Sequence, residues 1–173
     1  MDEATRAWTY AEGPTTSVST DIAGSVDDVW TLVSDITLPA RFSTELAGVE
    51  WIDGFDAPAV GARFRGRNEH QAIGGWEVVC TIRECTPGHA FEWCVGDPEF
   101  PSSVWRFDLA ANGDTITLTQ TFRMGPAPSG LTPAIEAMPD KEAKIIARRL
   151  AEHRTNMEAN LEGVRALVEG DGA

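Results

Sequence analysis

GARFRGRNEH, residues Gly61 to His70, admits three incompatible readings. Its first eight residues, G-x-x-x-x-G-R-N, stop two substitutions short of a phosphate-binding loop, which needs Lys and then Ser/Thr after the second glycine, at a strand-to-helix turn. Its arginines at every second position could form a basic strand that grips nucleic acid. The third reading is a half-buried β-strand, with Arg63, Arg65 and Arg67 in water and Phe64, Gly66, Asn68 and His70 facing inward. Alternation of polar and inward residues runs straight through Arg67 and Asn68, where a phosphate loop would turn into a helix. The stretch is a strand.

The same period extends on both sides of it. From Gly48 to Met124 short alternating runs are punctuated by Asp53-Gly54, Gly74-Gly75, Pro87-Gly88 and Asn112-Gly113, all turn chemistry. The inward registers are Val49 and Trp51; Phe64, Gly66, Asn68 and His70; Trp76, Val78, Cys80 and Ile82; Phe91, Trp93 and Val95. They continue with Trp105, Phe107 and Leu109, then Ile116, Leu118, Gln120 and Phe122. An earlier run, TTSVSTDIA (15–23), alternates Val18, Thr20 and Ile22 against polar partners, which makes about seven strands. One apolar face on that many strands needs a cover.

Helices supply it. SVDDVWTLVSD begins with Ser25 as N-cap and Asp28 three residues on, and puts Val26, Val29, Trp30 and Val33 on one side. A second short helix is expected around Pro39 to Leu46. Thr132-Pro133 reads as N-cap and first turn of a further short helix. From Pro139 to about Glu169 nothing breaks a long helix except Gly163, and Ile146, Leu150, His153, Met157, Leu161, Val164 and Val168 recur every three or four residues. The charged residues of Lys141 to Arg154 read as its solvated face. The chain is thus expected to be one domain, 1–173, with residues 1–13 as a loosely held N-terminal arm.

Composition removes several function classes. The formal net charge of −13 repels polyphosphates and anionic surfaces, and the few lysines all fall in the long helix, so nucleic acid is not an expected partner. No stretch approaches the apolar length of a membrane span, no signal peptide is visible, and Cys80, Cys85 and Cys94 form no CxxC, which points to free thiols in a reducing cytoplasm. The histidines His70, His89 and His153 show no HxH or HExxH spacing, so neither metal nor cofactor is expected. No GxSxG elbow or GxGxxG is present, and no strand carries the lysine that Schiff-base chemistry requires.

The order of elements resembles the START-like or SRPBCC superfamily, the birch-allergen-like helix-grip fold, and within it the bacterial polyketide cyclase/dehydratase branch. The residues that carry the resemblance are Val26 to Asp35 (VDDVWTLVSD), Val60 to Asn68 (VGARFRGRN), the strand start Gly75-Trp76-Glu77-Val78, and the run Asp140 to Glu169. It spans residues 15 to 169. Where that branch commonly carries tryptophans after the first helix, this chain has Leu38-Pro39-Ala40-Arg41-Phe42, which alters the cavity mouth. The resemblance implies an α+β fold: a curved antiparallel sheet wrapped around the long C-terminal helix, enclosing an apolar cavity. Relatives hold lipids, polyketides or isoprenoids there, and some cyclise or dehydrate them.

The inward face then becomes a site. Gly66 and Asn68 are small or polar where a filled core would take Val or Leu, so Gly66 marks either a bulge or open space. His153, Asn68 and Gln120 are the candidate proton-moving groups, His153 first because imidazole titrates near neutral pH. The expected ligand-binding residues are Phe64, Gly66, His70, Trp76, Val78, Trp93, Trp105, Phe107, Phe122, Leu150 and Met157. The expected activity is binding of a small hydrophobic molecule. The alternatives are a polyketide cyclase, aromatase or dehydratase in the same cavity, and a protein-interaction module without ligand chemistry. The oligomeric state is open.

Overall fold

The computed structural model describes residues 6–170. Seven strands form one antiparallel sheet: β1 (Thr15–Ala23), β2 (Leu46–Trp51), β3 (Arg63–His70), β4 (Gly74–Thr86), β5 (Ala90–Asp97), β6 (Phe100–Asn112) and β7 (Thr115–Met124). Their order is β1-β7-β6-β5-β4-β3-β2, so every neighbouring pair except β1–β7 is consecutive in sequence. Asn112 pairs with Thr115, and the two-residue loop between them takes its positive φ (61°) at Gly113, where a tight hairpin requires glycine. Register shifts between Leu46 and Gly48, Ile82 and Glu84, and Val95 and Gly96 bend the sheet. Gly66 is not one of them. Its pairing with Val49 and Val78 is regular, so the bulge reading of this glycine fails.

Burial along β3 follows the expected alternation, with Arg63 and Arg67 exposed and Phe64 and Gly66 buried. The arginines of the outer face meet acids instead of a polyanion: Arg63 pairs with Asp53, and Arg65 with Glu50 at 3.3 Å and Glu77 at 3.7 Å.

Helix α1 (Val26–Val33) starts as expected, Ser25 Oγ accepting from the Asp28 amide. The second expected helix is only a 3-10 turn, Leu38–Arg41. Pro39 sits in its first turn and the chain re-enters the sheet at Leu46. Helix α2 (Thr132–Ala137) begins one residue early, on Leu131. Pro139–Lys141 form a 3-10 turn before α3 (Glu142–Glu169), about 42 Å long at 1.5 Å per residue. Helix α3 lies close against β1 and β7 while β2 to β5 stand away from it, and the curl of the sheet leaves space between them.

The N-terminal arm departs from expectation. Residues 1–5 lie outside the described residues, but from Arg6 the chain is docked. The Arg6 guanidinium covers the ring of buried Trp8 at 3.9 Å, and the Tyr10 hydroxyl donates to Ala127 O at 2.7 Å. The Tyr10 amide donates to Glu142 Oε1 at 2.7 Å, which ties the segment to the start of α3. Such a short piece has no apolar period to betray its docking.

Candidate functional site

Two adjoining chambers occupy the space between the sheet and α3. The inner one, about 110 Å³, runs from Gln120 and Asn160 to the connection at Pro39 and Ser43, and its walls include Phe64, Trp93, Trp105 and Phe107. The outer one, about 400 Å³, opens between the β3–β4 hairpin and Ser129–Leu131, past Trp76 and Phe122. Asn68, Val78, Trp105 and His153 border both. The walls are aromatic and interlocked: Trp93 stacks on Trp105 with their planes 7° apart, and Trp105 meets Phe122 at 4.5 Å. Gly66 lies on the inner floor. A Cβ there would touch Leu46 and Val78 at 3.4 Å, so the missing side chain is what keeps the floor open.

His153 stands at the junction of the chambers. Its ring is 8% exposed, lies 4.2 Å from Phe122 and meets Trp105 edge-on at 5.0 Å. Its nitrogens have no hydrogen-bond partner among the described residues. Burial, and then the charge of Arg149 one turn earlier, hold its pKa well below the ordinary imidazole range, so the ring is neutral at neutral pH. A neutral imidazole between two chambers can accept a proton from a bound molecule or make a hydrogen bond to it.

A charge cluster sits where the chambers meet the surface. Arg149 Nη1 donates to Glu45 Oε2 at 2.7 Å and to Glu152 Oε2 at 2.9 Å, and Nη2 also bonds Glu45, a bidentate pair with both partners about one-tenth exposed. Burial is the largest influence on Glu152 and opposes its ionisation, but the bond and charge of Arg149 together with the smaller effects of His70 and Arg148 outweigh it and hold the carboxyl below its usual range. His70 Nδ1 accepts from the Ala72 amide, which leaves Nε2 as the protonated nitrogen, 3.4 Å from Glu152 Oε2. Glu45, His70 and Glu152 converge closely enough to offer a cation three donors, a grouping from three elements that sequence spacing could not reveal. Arg149 already fills that role: its guanidinium holds both oxygens of Glu45 and one of Glu152.

Of the residues singled out from sequence, His153, Asn68, Gln120, Phe64, Gly66, Val78, Trp93, Trp105 and Phe107 border the inner chamber, and Trp76 and Phe122 the outer. Three do not. His70 turns into a polar surface cleft beside Gly74 and Arg148. Leu150 and Met157 are packed into the core and border neither chamber. Sequence reasoning missed Arg149, which it placed on the solvated face, and Asn156 and Asn160. The signal was present: 149, 153, 156 and 160 recur at four, three and four residues, a stripe of their own.

Residues 14–169 match the family described as polyketide cyclase/dehydrase and lipid transport. No curated protein matches the chain. Among solved structures, a polyketide-cyclase-like protein of Corynebacterium glutamicum is similar at 26% identity and a TM-score of 0.65, over 92% of this chain and 93% of that one. The two-domain aromatase/cyclase StfQ of the steffimycin biosynthetic pathway matches at 13% identity and a TM-score of 0.69. The match covers 91% of this chain and 51% of StfQ, so the chain spans about half its length. The Zhui aromatase/cyclase from a Streptomyces species matches at 14% identity and a TM-score of 0.64, over 91% of this chain and 94% of that one. The last two are likenesses of fold. With the family match covering nearly the whole chain, it belongs to the polyketide cyclase/dehydrase and lipid transport family, within the START-like superfamily of helix-grip proteins.

Proposed function

We propose that this chain binds a small, flat, apolar molecule of polyketide, isoprenoid or lipid type in the two chambers, and works as a single domain. The observation that carries the reading is the inner chamber itself: aromatic walls with Asn68, Gln120 and His153 converging on one space. Ligand sites are typically apolar with a few placed polar groups. For scale, a dry engineered cavity of roughly 150 Å³ takes one benzene ring. The inner chamber thus fits about one ring, and the outer can accept the rest of a larger molecule. The unpaired thiols of Cys80, Cys85 and Cys94 fit a reducing cytoplasm. Arginines paired with acids on a −13 chain argue against nucleic acid. Among the described residues no helix is long and apolar enough to cross a membrane.

A second reading, cyclisation or dehydration of the same ligand, is favoured by one observation: His153 is neutral, buried and open to both chambers. It would act as general base, with Asn68 orienting the reacting carbonyl. Native mass spectrometry of freshly purified protein, with titration of an uncharged environment-sensitive dye, tests the lead reading. The expected result is a released small molecule, or saturable dye binding that Gly66→Leu weakens. Neither outcome in repeated preparations would remove it. His153→Phe then separates the two readings, because ring volume and burial are kept while the proton acceptor is lost.

A further inference from the structure

Two side chains at the boundary of the chambers carry polar atoms with nothing to bond. Asn68 follows Gly66 by two residues on β3, so it faces the same way, and it pairs across the sheet with Leu46 and Trp76. Its Nδ2 stands 4.0 Å from where a Cβ on Gly66 would lie, which puts the amide over the open floor of the inner chamber. The Asn68 side chain makes no hydrogen bond among the described residues, and neither do the nitrogens of His153. They do not bond each other. Trp8 Nε1 and Asn160 Oδ1 are unpartnered and fully enclosed, whereas the polar atoms of Asn68 and His153 remain reachable. Asparagine is a poor strand former, and an aliphatic side chain between Leu46 and Trp76 would pack there without an unpaired amide. The neighbouring polar groups are already engaged. Gln120 and Asn160, at the inner end, bond each other at 3.3 Å and are 1% and 4% exposed. Glu45 also borders both chambers, but Arg149 holds both of its carboxylate oxygens.

Resting on the reading of the chambers as a ligand site, we infer that one ligand spans both, with an oxygen in the middle of its frame held between Asn68 Nδ2 and the His153 imidazole. The class is two apolar ring systems flanking a carbon that bears a carbonyl or a hydroxyl. The leading ring fills the inner chamber among Phe64, Trp93 and Phe107, and the other occupies the larger outer chamber. The Asn68 amide donates to the oxygen. The imidazole, with one nitrogen protonated and one not, donates to a carbonyl or accepts from a hydroxyl. A ligand with its oxygen at the leading tip would set that oxygen among aromatic rings. It would also leave Asn68 and His153 unpaired against an apolar frame, a loss on both counts. The two side chains therefore select where along the molecule the oxygen lies.

Two isomers test this: diphenylmethanol carries its hydroxyl between two rings, and 4-benzylphenol carries it at one end of the same frame. Diphenylmethane, without oxygen, is the reference. In dye-displacement titrations of the full chain at neutral pH, diphenylmethanol is expected to bind about tenfold tighter than its isomer, the scale of neutral hydrogen bonds to buried groups. In Asn68→Leu, and separately in His153→Phe, the preference should shrink to about twofold or less, with diphenylmethane reporting whether the frame still enters. A preference that survives both substitutions places the oxygen elsewhere and overturns the inference. Equal or tighter binding of 4-benzylphenol by the unsubstituted chain overturns it too. So does tighter binding of diphenylmethylamine, an amine largely protonated at neutral pH, because the boundary would then serve a cation through Glu45. If the dye binds but no two-ring probe displaces it, the chambers do not open into one another, and the inference falls while the cavity reading stands. If neither dye nor probe binds, the cavity reading falls and takes this inference with it.

Discussion

Two stripes run side by side along α3 and meet different neighbours. Ile146, Leu150, Met157, Leu161 and Val164 are buried and apolar, and pack into the core. Arg149, His153, Asn156 and Asn160 lie on the adjacent flank and border the chambers. The helix thus closes the core with one stripe and furnishes the cavity with the next, separated by about a hundred degrees or less of rotation. The space between sheet and helix is accordingly not a packing defect. It is bordered by polar groups on the helix and kept open by Gly66 on the sheet, each where an aliphatic side chain would have sealed it.

The division can be broken by substitution. Leu161→Ala, on the core stripe, is expected to cost about 2–5 kcal/mol, the usual price of a leucine-sized core cavity, in a urea melt. Dye affinity per folded molecule should stay within severalfold. A small stability change with lost binding would mean that the two stripes are not functionally distinct. Gly66→Leu probes the opposite side of the space. Its new side chain projects into the inner chamber past Leu46 and Val78, so dye uptake should fall about tenfold or more while the melt moves by less than about 1 kcal/mol, since the leucine fills open volume. A loss of several kcal/mol would show the floor to be packed already.

Acidification sharpens the comparison without altering the packing. His153 has its pKa depressed in the folded chain, so as pH falls below about 6.5 the unfolded chain takes up a proton that the folded chain refuses. Stability should therefore decline on the acid side of that value, well before Glu152, whose depressed carboxyl contributes stability lost only as pH falls below about 4.5. Melting temperatures between pH 7.5 and 5 are expected to fall, and to fall less in His153→Phe. Identical slopes in the two proteins would place the imidazole in water.

The strands were legible because a half-buried sheet writes itself as alternation. The inward registers around Phe64, Trp93 and Phe107 came directly from it, and Asn112-Gly113 located the last hairpin. The helix was legible in position but not in its division. Arg149 and Asn160 are polar, and polarity on a helix reads as solvent unless a curled sheet brings an edge over it. The chamber lining from Pro39, Ser43 and Glu45 was hidden for another reason: a connecting segment has no period, and its place is set by what it packs on.

That segment supplies the subtlest prediction. Gly163 lies within α3, and helix propensity alone says that Gly163→Ala should stabilise the chain by about 1 kcal/mol. The structure opposes that gain. A Cβ on Gly163 would stand 2.4 Å from Phe42 Cζ and 2.5 Å from Cε1, because the ring of Phe42, just past the Leu38–Arg41 turn, lies directly on the glycine. The ring would have to swing off α3, loosening the segment that carries Pro39 and Ser43 at the chamber mouth. The expected outcome for Gly163→Ala is no net stabilisation, with faster dye exchange from the cavity. Removing the ring first changes the sign: on a Phe42→Ala background the same substitution should recover the propensity gain. The double-mutant cycle reads the coupling directly, as a difference of about 1 kcal/mol between the two backgrounds. Additive effects would mean that Phe42 does not need the glycine, and that the mouth is held by other contacts.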